Sequence, residues 1–184
     1  MKEIALHIMD IVQNSITAEA DLISVRVSIN QKVDNLAVEI EDNGKGMDDD
    51  MLARVTSPFT TTRTTRKVGL GIPLFKAGAE ASGGNFAISS EPGRGTRVCA
   101  VYGLTHIDRP PVGDIASVIH TLIVCNPEIN FEFEVECGGE KFAVDTAEIK
   151  KTLDGVPITQ SEVSVWLIEY LREGIDEIFG GNFE

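Results

Sequence analysis

Residues Glu41-Asp42-Asn43-Gly44-Lys45-Gly46-Met47 constrain this chain more than any other stretch. They follow Leu36-Ala37-Val38-Glu39-Ile40, which alternates apolar and polar residues as a half-buried strand does. A strand therefore ends in an acid, and two glycines spaced by one residue come next. Glycine lets the backbone take a positive φ and lets a flat ligand approach with no Cβ in the way. An ionised Asp only accepts hydrogen bonds, so Asp42 suits a ligand that offers N–H donors. Taken alone, Asp-Asn-Gly also describes an ordinary turn.

Further short motifs surround this one in order. Upstream lies Asp10-Ile11-Val12-Gln13-Asn14-Ser15-Ile16-Thr17-Ala18. Downstream lie Ser57-Pro58-Phe59-Thr60-Thr61-Thr62-Arg63, then Gly69-Leu70-Gly71-Ile72 and Lys76, then Gly83-Gly84 and Glu91-Pro92-Gly93-Arg94-Gly95-Thr96. A set in fixed order is far more specific than any one member. It resembles the ATP-binding domain shared by gyrase, heat-shock-type chaperone ATPases, mismatch-repair ATPases and sensor histidine kinases. Within that superfamily it is most similar to the histidine-kinase catalytic domain. The resemblance covers roughly residues 1–104 and does not extend to the remainder.

The resemblance implies an α/β sandwich, a mixed sheet covered by helices, in residues 1–104. Residues 112–184 are expected to form a small acidic α+β unit of their own. The resemblance also assigns roles. Asp42 and the turn Gly44, Gly46 and Met47 hold adenine, with the Thr96 hydroxyl beside Asp42. Asn14 binds Mg²⁺ through its side-chain carbonyl oxygen, a hard ligand that suits a cation shared with phosphates. Asp10 stands where the family places a catalytic acid. That acid is usually Glu, and the shorter Asp puts efficient activation of water in question. Gly69, Leu70 and Gly71 open a helix whose free N–H groups suit phosphate. Phe59, Thr60, Arg63, Arg66 and Lys67 fall in the family's lid over the triphosphate, and the guanidinium groups can fork onto phosphate oxygens. Each role has a plainer counterpart: a solvated helix face, a solvated basic loop, a simple hairpin.

Composition limits the remaining choices. The 184 residues carry a formal charge of −13, divided unevenly. Residues 1–104 hold 11 basic against 13 acidic residues, and residues 105–184 hold 5 against 16. So acidic a protein does not fit nucleic acid. The acidic half suits either a solvated surface or a basic partner protein. No apolar run approaches the roughly 20 residues of a membrane span. The start, Met1-Lys2-Glu3-Ile4, lacks the apolar core of a signal peptide, so the default expectation is cytoplasmic. Cys99, Cys125 and Cys137 read as reduced, mostly buried thiols.

Periodicity predicts helices over 2–20, from Asp48, and from Gly69 to Ala81, with strands over 22–29, 36–42, 85–90 and 96–102. Pro110-Pro111 marks a boundary. Beyond it the pattern gives a helix over 113–125, a hairpin turning at Gly138-Gly139, a short helix and a last helix from Ser161. Three functional classes follow from the resemblance. One is a Mg²⁺-ATP-dependent signalling kinase acting on a separate protein, with an anti-sigma-factor-type serine kinase as a variant. Another is an ATPase, and the third is a switch that binds ATP without hydrolysing it. His106-x-x-Arg109-x-Pro111 echoes part of the kinase phospho-acceptor motif, but a role at the junction fits its position better.

Overall fold

The computed structural model describes residues 3–56 and 71–180. The chain runs α1 (Ile4–Thr17), β1 (Leu22–Asn30), β2 (Asn35–Asp42), α2 (Asp49–Thr56), α3 (Gly71–Ala81), β3 (Asn85–Glu91), β4 (Gly95–Gly103), α4 (Ile115–Cys125), β5 (Asn130–Cys137), β6 (Glu140–Asp145), α5 (Thr146–Thr152) and α6 (Ser161–Phe179). The strands form one mixed sheet in the order β3-β4-β2-β1-β5-β6. Every neighbouring pair is antiparallel except β1 with β5, which run parallel.

The alternation read from sequence puts one set of side chains on the helix-covered face. Ile23, Val25, Val27, Leu36, Val38, Ile40, Val98, Ala100, Phe131, Phe133 and Val135 are all buried there. Burying one such side chain contributes roughly 1.5–3 kcal/mol. The opposite face carries a ladder of charges. Arg26 pairs with Glu39 at 3.3 Å and Glu134 at 2.9 Å, Arg97 with Glu39 at 2.6 Å, and Lys141 with Glu136 at 3.2 Å. Exposed pairs of this kind contribute at most about 1 kcal/mol each, so this face is solvated rather than adhesive.

The sheet does not stop at the boundary expected between 104 and 112. β5, from the acidic half, pairs with β1 from Leu22↔Asn130 to Ile29↔Cys137. Its inner residues enter the same core as α1 and β2. The junction does more than connect. Glu3, the residue before α1, makes no side-chain cap. Instead Ile4 N donates to Pro111 O and Ala5 N to Val112 O, both at 2.9 Å. Distant backbone carbonyls thus satisfy two of the donors that a helix start leaves open. His106 Nδ1 accepts from Asp108 N at 3.1 Å, which ties the same turn.

Side-chain caps serve elsewhere. Asp114 accepts from Ser117 N at the start of α4, and Asp145 from Ala147 N at the start of α5, each at 2.8 Å. The cysteines are free, but Cys125 is exposed and Cys99 and Cys137 are only partly buried. The expectation of mostly buried thiols is corrected to that extent. Among the described residues no helix is long and apolar enough to cross a membrane.

Candidate functional site

The end of β2 delivers Asp42 to the wall of a cavity of about 170 Å³. Antiparallel register sets Asp42 opposite Thr96 on β4 and opposite Ile23 on β1. Helix α1 supplies a second wall with Ile11, Asn14 and Ser15, and α2 contributes Met51 and Val55. Ile40, Met47 and Val98 complete an apolar lining, interrupted by the polar side chains of Asn14, Asp42, Lys45 and Thr96. A planar, apolar-faced group with a few polar edges fits such a lining.

Asp42 is only 8% exposed. Ser15 Oγ donates to Asp42 Oδ2 at 2.6 Å, and Gly44 N donates to Asp42 Oδ1 at 2.9 Å. A carboxylate offers about four lone-pair sites. Two donors from the described residues fix its rotamer and leave capacity facing the cavity.

Thr96 is oriented as firmly, through Ser90 at the end of β3. Ser90 Oγ accepts from Met47 N at 2.8 Å and donates to Gly95 O at 2.9 Å. Its single proton is then spent, so the 2.9 Å contact with Thr96 Oγ1 must use the threonine proton. Thr96 Oγ1 is left as an acceptor toward the cavity. Asp42 and Thr96 therefore present acceptors side by side, the complement of an exocyclic amine or of a water bridging to one.

The turn after Asp42 is held down at both ends. Lys45 N donates to Ala18 O at 2.9 Å, and Gly93 N donates to Lys45 O at 2.8 Å. Gly46 has φ +64°, and a Cβ there would collide with the Glu91 carbonyl oxygen. Only glycine allows both that backbone and that approach. Asn43 serves structure: its Oδ1 accepts from Asp21 N and Leu22 N, and its Nδ2 donates to Asp21 Oδ1.

Of the residues singled out from sequence, the structure brings Asn14, Asp42, Gly46, Met47 and Thr96 together on the cavity. Gly44 acts behind it through its N–H. Asp10 lies one turn before Asn14 and outside the lining. It faces the start of α3, where a Cβ on Gly71 would come within 3.0 Å of Asp10 Cβ. Phe59, Thr60, Arg63, Arg66, Lys67, Gly69 and Leu70 lie outside the described residues. Sequence reading passed over Ser15 and Ser90. Ser15 follows Asn14 directly. Ser90 stands opposite Thr96 in the hairpin register, so counting across the Glu91–Gly95 turn would have found it.

A buried, pre-oriented acceptor beside a glycine turn, on a helix-covered mixed sheet, defines a nucleotide-binding α/β sandwich. The sequence model of the histidine kinase-, DNA gyrase B- and HSP90-like ATPases matches residues 2–106, and the chain belongs to this family. The sensor protein kinase FleS of Pseudomonas aeruginosa is 39% identical over 108 residues, which cover 59% of this chain and 26% of that protein. A putative sensor protein of Shewanella frigidimarina is 31% identical over 103 residues, covering 55% of this chain and 16% of that protein. The chain thus spans about a quarter or less of the length of these two relatives. Among solved structures, the N-terminal domain of a DNA repair protein superposes with a TM-score of 0.56 at 14% identity. That likeness covers 99% of this chain and 58% of the other, so the shared fold takes in both halves.

Proposed function

We propose that the cavity between α1, the end of β2 and the β3–β4 hairpin binds Mg²⁺-ATP. In this reading the chain is the catalytic component of a signalling phosphotransferase whose acceptor is a separate protein. The observation that carries the reading is Asp42. A buried carboxylate is costly unless its lone pairs are used, and this one faces an apolar-walled cavity beside a second acceptor. An adenine amino group supplies the missing donor.

Asn14 is exposed at the rim of the cavity and offers an amide oxygen. That donor fits Mg²⁺, which keeps most of its waters and takes few protein ligands. When bound, Mg²⁺ neutralises charge on the phosphates. Arg63, Arg66 and Lys67 supply further positive charge, and Gly69, Leu70 and Gly71 supply backbone N–H groups. The names of the sensor-protein relatives support transfer to a protein, and the acidic half supports a partner of opposite charge.

A second reading rests on Asp10. It is not among the described residues that line the cavity and lies against the start of α3, so the group expected to activate water stands apart from the adenine end of the site. In that case ATP binding alone switches the protein. Incubation with γ-labelled ATP and candidate partner proteins separates the readings. Labelled protein with equimolar ADP supports the phosphotransferase, free phosphate alone an ATPase, and tight binding with neither the switch. Asp10→Asn retains ATP binding and loses turnover if Asp10 acts as a base. Wild-type turnover in that variant rejects the role.

A further inference from the structure

The last helix presents an aromatic row that the ATP site does not use. Trp166 and Tyr170 stand one turn apart on α6 with stacked rings, centroids 5.2 Å apart and 11° between planes. They are 46% and 38% exposed. Phe142, from the edge strand β6, meets Tyr170 edge-on at 5.2 Å. Gly174 makes room for it, since a Cβ there would collide with the Phe142 ring. The row is therefore set rigidly before anything binds. Rigid, half-exposed Trp and Tyr dominate binding energy at protein interfaces, because they bury large areas at little entropic cost.

Charge says what kind of partner fits. Glu162, Glu169, Glu173 and Glu177 fall four before and three, seven and eleven after Trp166, so they share its stripe of the helix. All four are exposed. Among the described residues Glu169, Glu173 and Glu177 have no basic partner, unlike the acids of the open sheet face. Arg172, the one cation on α6, turns away to Asp114 at 3.8 Å and Ser117 Oγ at 3.3 Å on α4. A second copy would bring the same acids against this face in a chain of charge −13, and an anionic membrane would be repelled as well.

From this arrangement we infer that the Trp166–Tyr170–Phe142 face of α6 docks a basic amphipathic helix of a partner protein. Apolar side chains of that helix cover the aromatic row. Its Lys and Arg residues meet the acidic rim, with one cation over the indole of Trp166. The inference deepens the reading that a separate protein engages the acidic half. It makes no use of nucleotide, so its failure and the failure of the ATP site are read independently.

Trp166 is the single tryptophan, so its emission reports on this face directly. The experiment titrates the full chain with a synthetic amphipathic Leu/Lys peptide. The controls are a Gln/Lys peptide of equal charge and a Leu/Glu peptide. The expected result is a saturable one-to-one shift of Trp166 emission with Leu/Lys only. Glu169→Lys with Glu173→Lys, both exposed and safe for folding, weakens it about tenfold or more. Glu128→Lys with Glu148→Lys makes the same charge change elsewhere in this half and weakens it less than about threefold, as a screened distant charge does. Equal losses in the two double variants overturn the inference in favour of non-specific attraction. Equal binding of the Gln/Lys peptide overturns it too, because the aromatic row then contributes nothing. So do an absent response, a chain-concentration-dependent emission shift without peptide, and a shift produced by anionic vesicles alone.

Discussion

Asp42→Asn separates the binding role of Asp42 from its structural one. The amide keeps the size of the side chain. Its Oδ1 still accepts from Gly44 N, and its Nδ2 faces Ser15 Oγ, which can rotate to accept where it now donates. The fold should lose little, on the order of 1 kcal/mol for a charge-assisted bond made neutral. Ligand binding should lose much more. The edge of Asp42 that faces the cavity becomes an N–H donor where an adenine amino group needs an acceptor. A hydrogen bond to a buried charge contributes about 1.5–3 kcal/mol, so affinity should fall by roughly 10- to 150-fold, with the donor–donor contact pushing toward the upper end. Calorimetric titration with metal-free ADP measures this, and thermal unfolding without nucleotide supplies the control. If the variant folds and binds ADP as tightly as the wild type does, adenine does not sit on Asp42. The whole site assignment then falls.

Asn14→Ala should weaken Mg²⁺-ATP while leaving metal-free ADP within about threefold, because Ser15 and Gly44, not Asn14, hold the Asp42 carboxylate; equal Mg²⁺-ATP affinity by calorimetry rejects the metal role. Ser90→Ala strips partners from Met47 N, Gly95 O and the Thr96 hydroxyl, so it should cost about 1–3 kcal/mol of stability and also lower ADP affinity. An unchanged unfolding midpoint and an unchanged affinity would refute the network. The Tyr102 hydroxyl is buried with no hydrogen-bond partner among the described residues, and burial raises its pKa above the ordinary value near 10. An acid whose folded pKa is raised contributes stability present below the unfolded pKa and lost as pH climbs beyond it. Tyr102→Phe should therefore be neutral to slightly stabilising at pH 7 and should resist unfolding above about pH 10 better than wild type, as denaturant titrations at the two pH values would show.

Local structure was legible in this sequence because each element carries its own period. The alternation of Leu22–Ile29 and Leu36–Asp42 marks the strands within a residue or two of their ends. The nearness of Thr96 to Asp42 was implied by the family resemblance and not by periodicity; in the structure the two stand opposite each other in the β2–β4 register. The parallel pairing of β1 with β5 was not legible. A strand with one apolar face declares that it has a core side, but not which neighbour it takes, and the charged faces of β1 and β5 would suit several. The two halves therefore read as separate units where the sheet is continuous. The capping of α1 was equally hidden, since Glu3 gives no cap and the carbonyls that serve come from more than a hundred residues away. In the site, the charged acceptor was visible as a residue type, but the proton directions were not. That Ser90 makes Thr96 an acceptor depends on three contacts that meet only in the folded hairpin.

Helix α1 links these two omissions. Its C-terminal end builds the site: Asn14 and Ser15 line the cavity, Ser15 holds Asp42, and Ala18 O receives Lys45 N from the glycine turn. Its N-terminal end is held by Pro111 O and Val112 O, where the acidic half begins. At 1.5 Å per residue its 14 residues span about 21 Å. Between the ends, Ile4, Ile8, Ile11 and Val12 are buried in the core that β5 and α4 share. A close-packed interior has low compressibility and transmits strain along the elements packed in it. The position of Asn14 and Ser15 against Asp42 is accordingly fixed by both halves together, through packing along α1 and two hydrogen bonds at its start. The acidic half is part of what shapes the cavity, although none of its described residues belongs to the cavity's lining.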